Sequence, residues 1–153
     1  GVTSLIKTRK DLLKMKKVGE SLETDDLPQE EMMWNDPDKK IASYKFGSRG
    51  RGLIFGDEAV KIFLHNMKLK LIIRAHQETI KGFDWPFGPK GGLVTIFSSI
   101  DYLRTRNNGA VAIIPKDGFD TDKLIDIEIF KKYPKFDAAN HVFSYPLNNR
   151  ANH

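Results

Sequence analysis

Cysteine is absent from the 153 residues. That excludes a disulfide framework, a cysteine nucleophile and thiolate ligation of a metal. Long apolar runs are missing too. The longest candidates, Leu69–Ile73 and Gly91–Ile100, are broken by Lys or Ser, so no segment reads as a bilayer span and no membrane partner is expected. The opening residues, where Lys7, Arg9, Lys10, Lys14, Lys16 and Lys17 crowd together, do not read as a secretory leader, and none is expected. There is no internal repeat and no low-complexity stretch. These absences point to an intracellular protein, cytoplasmic and/or nuclear. The chain opens at Gly1 without a methionine, directly in patterned sequence, and the expectation is a processed or partial chain.

What is present describes a folded protein. A hydrophobic content of 40% with 10% aromatic residues supplies a core. The net charge of +5 suits phosphate-bearing, acidic-peptide or nucleic-acid partners, and an ordinary solvated surface explains it equally well. Residues 8–18 read as a short basic helix, with Leu12, Leu13 and Met15 on its apolar side. Residues 19–31 are acidic, contain Pro28 and read as a loop leading to Met32–Trp34. Asn35-Asp36-Pro37-Asp38 is a turn signal, and the Gly- and Arg-rich residues 45–53 read as a loop.

The clearest helix is 57–67. Asp57 serves as its N-cap, and Ala59, Val60, Phe63, Leu64 and Met67 recur at helical spacing. Leu69–Ile73 and Leu93–Phe97 read as buried strands on either side of a loop at 82–92, and Ala110–Ile114 as a third strand. Leu124–Phe130 alternates, with Ile125, Ile127 and Ile129 on one face, and is expected to lie antiparallel to that third strand. The tail from Lys131 shows no period. The order gives an α/β (α+β) protein, a mixed sheet with helical cover, in which two strands end in polar loops carrying His76 and Tyr102.

Few residues carry chemistry by type and position. His76 has two readings, a metal ligand held rigidly at a strand end or a histidine that hydrogen-bonds its neighbours; no second ligand stands at a metal-motif spacing from it. Arg49 and Arg51 flank Gly50 in Gly47-Ser48-Arg49-Gly50-Arg51-Gly52. Their guanidinium forks match phosphate oxygens, although by itself the stretch reads first as a flexible surface loop. It lacks the Gly-Lys-Ser/Thr ending of a Walker loop. Trp34 and Trp85 read as core or loop anchors. His65 reads as exposed, and His141 and His153 stand in the tail without evident partners.

Four stretches, in order, resemble the phosphoprotein phosphatase family, the metal-dependent serine/threonine protein phosphatases. Glu31-Met32-Met33-Trp34-Asn35-Asp36-Pro37-Asp38 is similar to the family's Asp-Leu-Leu-Trp-Ser-Asp-Pro-Asp. Arg49-Gly50 followed by Phe55-Gly56 is similar to its Arg-Gly and Phe-Gly pair. Arg74-Ala75-His76-Gln77 resembles its Arg-Ala-His-Gln. Leu93-Val94-Thr95-Ile96-Phe97-Ser98 running on to Tyr102 resembles Leu-Val-Thr-Leu-Phe-Ser-Ala-Pro-Asn-Tyr. Tyr102-Leu103 and Asn107-Asn108 look calcineurin-like.

The resemblance implies the C-terminal portion of the metallophosphoesterase αββα layered sandwich over residues 1–130, followed by a C-terminal tail at 131–153. It implies that His76 is a metal ligand, that Arg49 binds the substrate phosphate and that Tyr102 lines the catalytic pocket. It further implies two metal ions (manganese, iron or zinc) in the intact enzyme, phosphoprotein substrates and regulatory subunits. Gly1 falls on the second glycine of the family's His-Gly-Gly, so the other metal-binding motifs and the catalytic acid are expected upstream, and the chain alone is expected to be inactive. The faces of Leu71, Ile73, Val94 and Ile96 are then expected to stand uncovered.

Two departures bear on activity. Ser99-Ile100-Asp101 replaces Ala-Pro-Asn and adds a carboxylate near a phosphate pocket. This change and the missing motifs leave open a catalytically dead relative that acts as a binding module. A basic nucleic-acid-binding domain is a third reading, without any recognised motif behind it, so no nucleic-acid partner is expected.

Overall fold

A computed structural model describes residues 1–15, 27–48, 50–116 and 125–131, and the backbone of 135–137 and 142–144. The chain forms two compact units, Gly1–His76 with Trp85–Leu93, and Gln77–Asp84 with Val94–His153. Both contain helical turns and short strands, the mixed α/β character expected.

In the first unit, α1 (Arg9–Lys14) opens with a capping box in which the Thr8 hydroxyl accepts from the Asp11 N–H and Asp11 accepts from the Thr8 N–H. Leu12 and Met15 pack against the core, whereas Leu13, expected beside them, is exposed. Residues 16–18 of the expected helix lie outside the described residues. So do residues 19–26 of the expected loop, but the rest of that loop is helical: α2 spans Leu27–Trp34. Pro28 falls in its first turn, where a missing N–H costs no intrahelical bond.

The Asp-Pro signal does end the helix, yet the next residues are not a simple turn. Asp36–Pro37 form β1, parallel to β3 (Leu53–Phe55), and β2 (Tyr44–Phe46) pairs with β3 antiparallel. The expected loop at 45–53 is thus a hairpin whose connection is confined to 47–52. At its end Gly52 has φ +68°, and a Cβ there would stand 3.0 Å from the Trp34 backbone. A side chain at that position would push the hairpin away from α2.

The helix expected at 57–67 is α3 (Asp57–Met67). Ala59, Val60, Phe63 and Met67 are buried against Val2, Ile6, Phe55 and Leu93 in the core. Gly56, not Asp57, is the N-cap. Asp57 stands one residue inside and bonds Lys61 at 2.7 Å, and that hydrogen bond holds its carboxyl below the usual range. The next strand differs from expectation. β4 is Ile72–Arg74 rather than 69–73; Leu69 and Ile73 are exposed and Arg74 is buried.

In the second unit, β5 (Phe83–Asp84) pairs antiparallel with the part of β6 (Leu93–Ile96) that follows Leu93, through Phe83↔Ile96 and Asp84↔Thr95. Val94 and Ile96 are buried, so the bare face expected at those two residues is not found. β7 (Gly109–Ile113) pairs antiparallel with β8 (Asp126–Phe130), as the alternation requires, with Ile125 and Ile127 buried; Leu124 lies outside the described residues. β9 (Lys135–Asp137) and β10 (Val142–Ser144) pair antiparallel within the segment whose sequence shows no period. Gly82 (φ +86°) meets Gly109 so closely that a Cβ on Gly82 would lie 2.6 Å from the Gly109 carbonyl carbon. No helix among the described residues is long and apolar enough to cross a membrane.

Candidate active site

The residues that end α2 hold one rim of the first unit together. Asn35 is fully buried; its Nδ2 donates to the Val2 carbonyl at 2.8 Å, and its Oδ1 accepts from the Leu53 N–H at 2.6 Å. Asp36 accepts from the Arg74 guanidinium at 2.8 Å, and Arg74 also donates to the Asn35 carbonyl at 3.3 Å. Both partners are nearly inaccessible, so the cost of desolvating the two charges is offset by mutual attraction and by these added hydrogen bonds. The pair fixes the end of β4 to the start of β1.

Two residues beyond Arg74, His76 is exposed and has φ +81°, a region non-glycine residues rarely occupy. Its ring centre lies 5.1 Å from that of Trp34, the planes at 83°. The Arg51 guanidinium sits over the indole of Trp34, 4.8 Å from its centre, while its Nε donates to Glu30 at 2.6 Å. Arg51 and Glu30 also line a cleft of about 470 Å³, together with Glu31, Phe46 and Gly50 among others. His65 is exposed, as its place on α3 suggests.

Tyr102 belongs to the second unit, on a short 3-10 turn at Tyr102–Arg104. It is partly exposed, and its ring packs perpendicular to Phe97 at 5.4 Å. The surrounding loop carries four non-glycine residues at positive φ: Asp101, Leu103, Arg104 and Arg106. Asn107, fully buried, holds this conformation. Its Oδ1 accepts from the Tyr102 N–H at 2.7 Å, and its Nδ2 donates to the carbonyls of Ser99 at 2.6 Å and Asn108 at 2.8 Å. Asp101 Oδ1 accepts from the Arg106 N–H at 3.0 Å, so part of the added carboxylate is engaged inside its own loop.

Of the three residues singled out from the sequence, His76 thus lies in the first unit and Tyr102 in the second, while Arg49 and the two tail histidines fall outside the described residues. Sequence reasoning missed Asn35, Arg74 with Asp36, and Asn107. Their types carry no signal alone, because each acts through partners brought together by folding. Among the described residues no group of three or more His, Asp or Glu side chains could hold a metal ion. His76 fits the role of a single imidazole donor, with other donors required.

No family model matches the chain. It is, however, 32% identical over 112 residues to the serine/threonine-protein phosphatase 4 catalytic subunit of Kluyveromyces lactis, an alignment covering 73% of this chain and 34% of that protein. The Eremothecium gossypii catalytic subunit of the same name is 32% identical over 109 residues, covering 71% and 31%. The chain belongs to the phosphoprotein phosphatase family. It spans about a third of the length of these curated relatives. Among solved structures, a protein serine/threonine phosphatase from Saccharomyces cerevisiae with similarity to human phosphatase PP5 superposes with a TM-score of 0.57 at 29% identity, over 74% of this chain and 37% of that one. The mixed α/β units are therefore part of a phosphoprotein phosphatase fold.

Proposed function

We propose that the chain forms part of the catalytic domain of a protein-serine/threonine phosphatase that hydrolyses phosphoserine and phosphothreonine esters, with residues 1–130 in that domain and 131–153 as a C-terminal tail. The observation that carries the reading is the alignment with two phosphatase catalytic subunits over more than 70% of the chain. Two details of the candidate site support it. His76 is presented just past a strand end whose Arg74 is locked to Asp36, which suits a ligand that must not move. The Asp101 carboxylate is drawn into its own loop by the Arg106 N–H, which lessens the conflict between an added negative charge and a phosphate pocket.

In this reading His76 offers a ring nitrogen to one metal, Arg49 holds the phosphoryl oxygens through its planar fork, and Tyr102 lines the pocket. When bound, two metal ions (manganese, iron or zinc) supply Lewis-acid neutralisation of the phosphate and a water activated for in-line attack. Arg49 adds charge stabilisation where negative charge shifts on the phosphoryl group. The partners in this reading are phosphoproteins and regulatory subunits, in an intracellular setting, without membrane or nucleic acid.

The test is hydrolysis of a phosphoserine peptide by the full-length protein that carries this chain. Turnover that falls about 100-fold or more in Arg49→Ala is the expected result. Metal-dependent turnover untouched by Arg49→Ala contradicts the assignment of that residue, and no turnover with any of the three metals favours a relative that only binds. The 153-residue chain by itself is expected to show none, because no group of three or more His, Asp or Glu among the described residues could hold a metal ion.

A further inference from the structure

We infer that Trp34 is a positioning residue for His76, holding the imidazole in the orientation from which a ring nitrogen reaches a metal; the inference rests on the reading of His76 as a ligand. Sequence reasoning gives Trp34 only the role of an anchor. The structure places its indole perpendicular to the imidazole, with centres 5.1 Å apart. This is a favoured geometry for two aromatic rings, since the electropositive edge of one meets the electronegative face of the other.

The contact falls on a residue that needs support. At φ +81° the His76 backbone is outside the regions that side chains readily adopt, and such a conformation persists only when the surroundings determine it. One support comes along the chain, from Arg74 fixed to Asp36 and to the Asn35 carbonyl. That support orders the backbone up to two residues before His76, and the indole touches the ring itself.

Trp34 is itself restrained on several sides. Arg51 covers its face at 4.8 Å and is tethered to Glu30 at 2.6 Å. Gly52 packs against its backbone, where an added Cβ would come within 3.0 Å. The following residue, Asn35, is buried and bonded to both Val2 and Leu53. An indole so fixed transmits the position of α2 and of the 47–52 connection to the imidazole. Outer-shell groups that hydrogen-bond a ligating histidine are worth about 10- to 100-fold in metal affinity, and a ring contact that orients the imidazole belongs at the low end of that range.

The experiment uses the full-length protein, with manganese(II) as the probe in calorimetric titration and proton–carbon NMR of the His76 ring. Trp34→Leu is expected to raise the manganese Kd about tenfold and to move the His76 ring signals as the ring current of the indole is lost. Trp34→Phe, which keeps an aromatic neighbour, is expected to recover most of the affinity. Arg51→Ala provides a second, milder variant at an exposed side chain, expected to weaken binding in the same direction without lowering the melting temperature. His76→Ala separates the two claims. If it weakens manganese binding while Trp34→Leu and Arg51→Ala bind as tightly as the wild type, the positioning role is overturned and His76 stays a ligand. If His76→Ala leaves the Kd unchanged, the ligand reading falls and the inference falls with it.

Discussion

At the scale of single residues, the buried pair of Asp36 and Arg74 makes the sharpest demand on stability. The two are 38 positions apart in sequence, 2.8 Å apart in the fold and almost fully shielded from water. Asp36→Ala leaves the guanidinium buried without its counter-charge and should cost about 3–5 kcal/mol. Asp36→Asn retains an acceptor and should cost less; urea unfolding of both variants checks the order. Tyr44 makes a second prediction. Burial, and then the nearby Glu31 carboxylate, push its phenol up to about 12. A raised value means the folded state favours the protonated phenol, so its contribution is fully present below about pH 10, where a free tyrosine titrates. The contribution is lost as the pH climbs through about 12. Urea midpoints measured across that window should fall more steeply for the wild type than for Tyr44→Phe. Neither residue declares itself in sequence: Arg74 reads as part of a polar strand end, and only folding shows that its partner is Asp36.

At the scale of elements, legibility followed the length and regularity of the pattern. α3 has apolar residues at helical spacing throughout, and its bounds were legible although its Gly56 N-cap was not; β8 was legible from its alternation, and β7 as the strand expected beside it. α2 was hidden because Pro28 and a run of carboxylates resemble a loop, although proline at a helix start is harmless. β1 and β2 contain two and three residues, too few for a period, and β2 runs straight into the Gly- and Arg-rich stretch. Two predictions belong here. Phe63→Ala, on the buried face of α3, should cost about 3–5 kcal/mol through lost contact and the cavity left behind. Gly82→Ala should cost more than about 1 kcal/mol, because its φ of +86° disfavours a Cβ and that atom would meet the Gly109 backbone. Thermal and urea melts report both, and a Gly82→Ala variant as stable as the wild type would show that the approach of the two glycines is not required.

At the scale of the molecule, composition bounded the answer without choosing it: no cysteine, no spanning segment and a modest positive charge fit many proteins. The family became legible because four short motifs stand in order, each weak alone, and the alignments with two phosphatase catalytic subunits bear this out. The candidate site is legible only through those motifs. His76 and Tyr102 look ordinary by residue type, and what distinguishes them in the structure, a positive φ beside Trp34 and a loop organised by Asn107, arises from contacts that no local pattern records. The most direct test of the account is anomalous diffraction from crystals of the full-length protein grown with zinc. The account predicts a metal peak about 2 Å from a ring nitrogen of His76. Zinc bound elsewhere, with His76 outside its coordination sphere, would contradict it.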